Sequence, residues 1–166
     1  MLSSNSQVIA DITGGSSTTN VEFKGVTTDT REDGKGKLFI ALEGDSFDGH
    51  DFVQHAEDAG VKAVIAHKEI NTNLPTITVG NTEEAYRAIA SWHRQSLKPT
   101  VIAITGSNGK TSTKNMLANI LALDAPTLCT QGNLNNHLGV PKTLLNITQE
   151  HKYCVIEMGA NHVNEI

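Results

Sequence analysis

Residues 105–112, TGSNGKTS, carry the chain's densest chemistry. An apolar run, VIAI (101–104), leads in, and a helix-like run, KTSTKNMLANILAL (110–123), leads out. Glycines let backbone N–H groups turn inward at φ values other residues avoid. The following helix points its N-terminal amides and partial positive charge at the same spot. Lys110 adds a full charge able to reach the β- and γ-phosphates of a nucleotide, and the Thr111 hydroxyl can ligate Mg²⁺. Gly106, Ser107, Asn108, Gly109, Lys110, Thr111 and Ser112 therefore read as a cradle for ATP. A plain strand-turn-helix corner is the alternative. Such a corner needs a glycine, but not a lysine at the helix start, where a cation opposes the helix dipole unless an anion sits beside it.

The spacing departs from the general phosphate loop, G-x-x-x-x-G-K-[ST], since only Ser107 and Asn108 separate the glycines. The shorter pattern arises by chance in roughly one chain in two hundred of this length, taking glycine at about 7% of residues. The strand before it and the helix after it therefore carry much of its weight. Two further groups belong with it. Glu157 ends the apolar run YCVI, where ligands gather along a parallel sheet, and can face Mg²⁺ opposite Thr111. A carboxylate there that simply meets water is the plainer reading. GNLNNHLGVP (132–141) crowds Asn133, Asn135 and Asn136 into a strand-to-helix connection. Asparagine tolerates left-handed backbone and offers amide donors and acceptors, though a capped turn would use it as well.

Positioning these groups requires a particular order of elements. SQVIADIT (6–13) reads as a short helix stopped by Gly14 and Gly15, and VEFKGVTTDT (21–30) as a strand. KLFIALEG (37–44), KAVIAH (62–67) and TITVG (76–80) are further strands, and HDFVQHAEDAG (50–60) is a helix ending at Gly60. Residues 81–97 form the best helix, with Asn81 or Thr82 as its cap and Glu83 and Glu84 in its first turn. Lys98-Pro99 marks a domain boundary, because Pro99 blocks the helix and a strand, TVIAIT (100–105), follows at once. Beyond it, 110–123 is a helix with Met116, Leu117, Ile120 and Leu121 at helical spacing, 125–130 a strand, 138–148 a helix and 152–159 a buried strand. The fold class is α/β: a small α/β unit at 1–98, then a parallel sheet with crossover helices at 99–166.

Composition excludes several classes. With 38% hydrophobic and 19% charged residues, the 166-residue chain is globular, not disordered. A net charge of −5 without any basic block disfavours nucleic acid and anionic membranes as partners. No stretch approaches a spanning helix, and MLSSNSQVIADITGG lacks the basic-then-apolar pattern of a signal peptide. Cys129 and Cys154 have no metal-ligand spacing and read as two small buried thiols of a reducing cytosol. His55, His67, His93, His137 and His151 read as surface or capping residues, and His162 as a possible substrate contact.

Three motifs in this order, TGSNGKTS, GNLNNHLGVPKTLL (132–145) and VIEMGANHVNEI (155–166), resemble the Mur ligases of bacterial cell-wall synthesis. The first half, GVTTDTR (25–31) and residues 37–65, is similar to that family's N-terminal substrate domain, and the short glycine loop is the family's normal spacing. The resemblance is strongest to the branch that joins D-alanyl-D-alanine to UDP-N-acetylmuramoyl-tripeptide. It implies a cytoplasmic, ATP- and Mg²⁺-dependent ligase. ATP phosphorylates the tripeptide's terminal carboxylate, and the dipeptide amine displaces phosphate from the acyl phosphate. It further implies Lys110 and Glu157 as catalytic residues and Thr111 and Glu157 as metal ligands. Thr28, Asp29, Thr30 and Arg31, with Asp48, Gly49 and His50, would line the UDP-sugar pocket, and Asn135 and Asn136 would face the muramoyl or phosphate side. Without the resemblance, TTDTR is a β-turn and EGDSFDGHD a solvated acidic loop.

Members of that family run well over twice this length, so the resemblance implies an N-terminal piece, with 1–98 the UDP-sugar substrate-binding domain and 99–166 the first part of a parallel-sheet P-loop ATPase domain, inactive alone; a monomer is expected. ADP release by residues 1–166 with both substrates present would contradict that expectation. Two other readings stay open. A self-contained P-loop kinase or NTPase usually needs an arginine lid or finger, whereas Arg31, Arg87 and Arg94 all precede the boundary. A non-catalytic nucleotide-sugar binding module would use residues 1–98 and ignore ATP.

Overall fold

The computed structural model describes residues 2–44 and 46–159. The chain divides into two compact units, 1–89 and 90–166. The division falls inside the helix at 82–97, ahead of Lys98-Pro99. The last turns of that helix serve the second unit: His93 Nε2 bonds the Ile147 carbonyl at 2.9 Å, and Leu97 packs on its core.

In the first unit, β1 (Ser3–Asn5) leads into α1 (Ser6–Thr13), whose first turn is capped by the Asn5 side chain and whose end is Gly14 in the left-handed conformation. Then come β2 (Ser16–Ser17), β3 (Glu22–Lys24), β4 (Val26–Thr27) and β5 (Leu38–Ile40). A small hairpin, β6 (Glu43–Gly44) and β7 (Phe47–Asp48), precedes a 3₁₀ turn at Gly49–Phe52 and α2 (Val53–Asp58). β8 (Ala63–Ala66), β9 (Thr76–Thr78) and α3 (Thr82–Leu97) follow. The main sheet runs β2-β9-β8-β5-β4, parallel except at β2, while β1 pairs with β3 separately. β8 is buried along its whole length, as a central parallel strand must be. Its Val64 joins Phe39, Ala41, Val53, Ala56 and Val61 in one core cluster.

The run at 21–30, expected as one strand, is two strands in different sheets. Gly25, at φ 94°, breaks it, and its N–H bonds the Leu2 carbonyl while its own carbonyl accepts from Leu38. Only glycine enters that region without a Cβ penalty. The run at 37–44 is likewise interrupted after Ile40, before β6 turns away with β7.

The second unit is β10 (Thr100–Ile104), α4 (Lys110–Ala122), β11 (Thr127–Cys129), α5 (Gly139–Leu145) and β12 (Tyr153–Glu157). Its sheet is parallel, ordered β10-β12-β11, as the β-α-β-α-β order requires. Ile147, Cys154 and Ile156 form its core, with Val140 and Leu144 of α5 packed on them. Cys129 is only partly buried, unlike Cys154. On α4 the sheet-facing residues are Lys114 and Ala118, whereas Met116 and Ile120 are exposed, so the periodic apolar positions do not all coincide with the buried stripe. Among the described residues no helix is long and apolar enough to cross a membrane.

Candidate functional site

The parallel register fixes the site. Ile104 pairs with Glu157, so the loop leaving β10 and the carboxylate ending β12 emerge side by side at the carboxyl end of the sheet. That edge is where open α/β sheets bind ligands. Gly106 (φ 143°) and Gly109 (φ 75°) both hold conformations that a side chain would strain. Gly109 is the N-cap residue of α4 and gives it no side-chain cap, so the amides of the first turn are left for an external acceptor. Lys110 Nζ curls back to the Gly106 carbonyl at 2.6 Å, lying across the loop where a phosphate would rest.

Glu157 is buried, at 2% exposure. Its N–H donates to Thr130 Oγ1 at 2.9 Å, and its Oε1 accepts from Asn135 Nδ2 at 2.8 Å. Among the described residues Oε2 has no hydrogen-bond partner, and it lies 3.5 Å from Lys114 Nζ. Burial alone would raise this carboxyl's pKa, but the Asn135 hydrogen bond, the Thr111 hydroxyl and the nearby Lys114 charge outweigh it, and the net shift is downward. The result is an ionised, oriented oxygen with spare lone pairs beside the Thr111 hydroxyl. A carboxylate and a hydroxyl suit Mg²⁺, which keeps several waters and takes phosphate oxygens for the rest of its shell. Among the described residues no cluster of three or more His, Cys, Asp or Glu offers an all-protein metal cage.

The asparagine segment splits between roles. Asn135 holds Glu157, and its carbonyl accepts from Gly159 N at 2.8 Å. Asn136 Oδ1 accepts from Gly139 N at 2.8 Å, holding the start of α5. Asn133 is exposed. Two residues that sequence reasoning missed complete the site: Thr130, which receives the Glu157 amide, and Lys114, which is 2% exposed. Helical spacing signals Lys114, since it lies one turn beyond Lys110. Thr111 and Lys114 also border an open cavity of about 450 Å³ between α4 and residues 129–132.

The remaining expected residues lie in the first unit. Arg31 forks onto Asp29, with Nε to Oδ1 at 2.8 Å and Nη2 to Oδ2 at 2.6 Å, and its side chain is 89% exposed. Thr28 and Thr30 beside them are half-buried. Asp48 and His50 bond one another through Oδ1 and Nδ1 at 2.5 Å, and His50 Nε2 accepts from His67 N at 3.2 Å. The His50 ring is thereby engaged at both nitrogens and fixes the hairpin from inside. Lys68 bridges Asp48 and Glu43, and together with the His50 bonds it holds the Asp48 carboxyl well below the ordinary carboxylate range. Gly49 is required sterically, because a Cβ there would lie 2.6 Å from the Leu42 carbonyl. Among the histidines, His93 is buried rather than superficial. His151 accepts from Thr148 N as a local cap. His162 lies outside the described residues.

The Mur ligase family catalytic-domain profile matches residues 22–122, and the Mur ligase middle-domain profile matches 104–165. The UDP-N-acetylmuramoyl-tripeptide--D-alanyl-D-alanine ligase of Escherichia coli (strain K12) is 47% identical over 147 residues, covering 89% of this chain and 32% of the relative. That of Bacillus subtilis (strain 168) is 41% identical over 145 residues, covering 86% and 32%. A crystal structure of MurF from Acinetobacter baumannii superposes with a TM-score of 0.94 at 39% identity, covering 99% of this chain and 38% of that one. MurF ligase from Thermotoga maritima, solved in complex with ADP, gives a TM-score of 0.75 at 32% identity, covering 84% and 33%. The chain thus spans about a third of the length of the relatives it matches. The short glycine loop, the asparagine segment and the strand-end glutamate sit in one sheet edge within a chain that belongs to the Mur ligase family.

Proposed function

We propose that this chain is the N-terminal part of a cytoplasmic, ATP-dependent ligase that joins D-alanyl-D-alanine to UDP-N-acetylmuramoyl-tripeptide in peptidoglycan precursor synthesis. One observation carries the reading. A buried glutamate, one oxygen of which takes no hydrogen bond among the described residues and faces Lys114 at 3.5 Å, ends the strand in register with the one that enters the glycine loop. A structural carboxylate would have both oxygens satisfied.

The chemistry requires two anions, a γ-phosphate and a peptide carboxylate, to meet. The loop amides and Lys110 bind and orient the triphosphate and draw charge from its transferring end. Thr111 and Glu157 would hold Mg²⁺, which supplies charge neutralisation between the phosphates. Asn135 keeps Glu157 aimed, and Asn136 fixes the segment that brings Asn135 there. In the first unit, the exposed Arg31 guanidinium, preset by Asp29, would meet the substrate diphosphate. Thr28 and Thr30 would line that pocket, and Asp48, Gly49 and His50 would shape it through the hairpin they rigidify.

Titrating UDP-N-acetylmuramoyl-tripeptide and ATP with Mg²⁺ separately tests this. Both are expected to bind, with ATP binding lost on disrupting the glycine loop. Uptake of the UDP-sugar alone would leave a binding module. ATP hydrolysis without any acceptor would favour a self-contained NTPase.

A further inference from the structure

Lys114 has no assigned part in the scheme above, yet it occupies a costly place. It is 2% exposed on the sheet side of α4, where a methionine or leucine would bury without desolvating a charge. Its strong hydrogen bond goes to the Thr130 carbonyl at 2.8 Å, and a longer contact reaches the Gly132 carbonyl at 3.5 Å. Glu157 Oε2 stands 3.5 Å away and takes no hydrogen bond from it or from any other described residue. At that distance the ammonium acts on Glu157 chiefly through its charge, as a long ion pair rather than a close hydrogen bond. It is pinned to backbone that does not depend on the carboxylate, while the carboxylate keeps its lone pairs free.

We propose that Lys114 is the resident counter-cation of Glu157. It compensates the buried carboxylate while no divalent ion is present. Tied to Thr130, it stays in place when an ion arrives, and so weakens the site for a bare cation. Capture of the ion then depends on the phosphates that a nucleotide brings. The inference rests on the reading of Glu157 as a metal ligand. Its sign follows from Coulomb's law, because like charges a few ångströms apart in a partly buried site repel by several RT.

The test uses Mn²⁺ as probe, with free ion counted by electron paramagnetic resonance, on the full chain and on K114M. Without nucleotide, K114M is expected to bind Mn²⁺ at least about tenfold more tightly than the parent chain. In thermal melts, K114M should lose stability in EDTA and recover more of it with added Mn²⁺ than the parent does. Unchanged or weaker Mn²⁺ binding, with the same melting loss in EDTA and in Mn²⁺, is the behaviour of a lysine that merely packs, and overturns the proposal. If K114M does not fold, the double variant K114M/E157Q decides. Its folding supports charge compensation, since both charges are gone, and its failure overturns it. Failure of the underlying metal-ligand reading shows separately, as ATP-dependent Mn²⁺ uptake that E157Q leaves intact.

Discussion

Replacing Thr130 with valine tests whether the Glu157 strand end is held by a hydrogen bond or by packing. Thr130 is 2% exposed, and its Oγ1 receives the Glu157 N–H at 2.9 Å. Valine keeps the volume, and the backbone contacts of residue 130 are independent of its side chain: its N–H bonds the Val155 carbonyl and its carbonyl holds Lys114. The substitution therefore isolates one event, the orphaning of a buried amide. Leaving such a donor unpaired costs about 1–3 kcal/mol. For a chain of this size each kcal/mol lowers the melting temperature by about 2–4 °C, so T130V should melt roughly 2–12 °C lower. T130S retains the hydroxyl and is the control. Urea unfolding and thermal melts of the three proteins give the answer, with T130S expected closer to the parent than T130V. T130V as stable as the parent, with T130S the weaker variant, would show that the methyl group matters and the hydroxyl does not, and the argument from the buried amide would be refuted.

Lys110→Met should weaken ATP binding by about 10–150-fold, the loss of one charged hydrogen bond, while AMP binding and melting temperature barely change, as calorimetry would read. Asn135→Ala removes the partner of Glu157 Oε1, and should lower the Mg²⁺-dependent part of ATP affinity more than the Mg²⁺-independent part. Burial holds the His93 pKa below the ordinary 6.5, against the smaller opposing effect of its bond to Ile147. The unfolded chain therefore takes up the proton first, and stability present above about pH 6.5 falls as the pH drops below it. Urea unfolding at pH 7.5 and 5.5 should show that loss in the parent and less of it in H93N.

The legible part of the fold was the part written in local chemistry. α1 begins and ends where its Asn5 cap and Gly14 stop place it, and the Asn81 side chain caps α3 by accepting from Glu83 and Glu84 N–H. The β-α-β-α-β order of the second unit follows from apolar runs alternating with helical spacing, and it placed the loop and Glu157 on one edge. Long-range choices were not legible. Gly25 sends one β-like run into two sheets because of where Leu2 and Leu38 lie, which no local pattern encodes. The α4 helix buries a lysine and exposes Met116 and Ile120, because its contacts are with Thr130 and Glu157 across the sheet edge. The same holds for the Thr130 hydroxyl, whose role exists only once β11 and β12 are paired.

Paramagnetic broadening by Mn²⁺ with ATP, followed in the amide spectrum of the chain, reaches the central claim most directly. Resonances of Gly109, Thr111 and Glu157 should broaden first at sub-stoichiometric Mn²⁺, and only when ATP is present. Thr111 and Glu157 remaining sharp while other amides vanish would contradict the account.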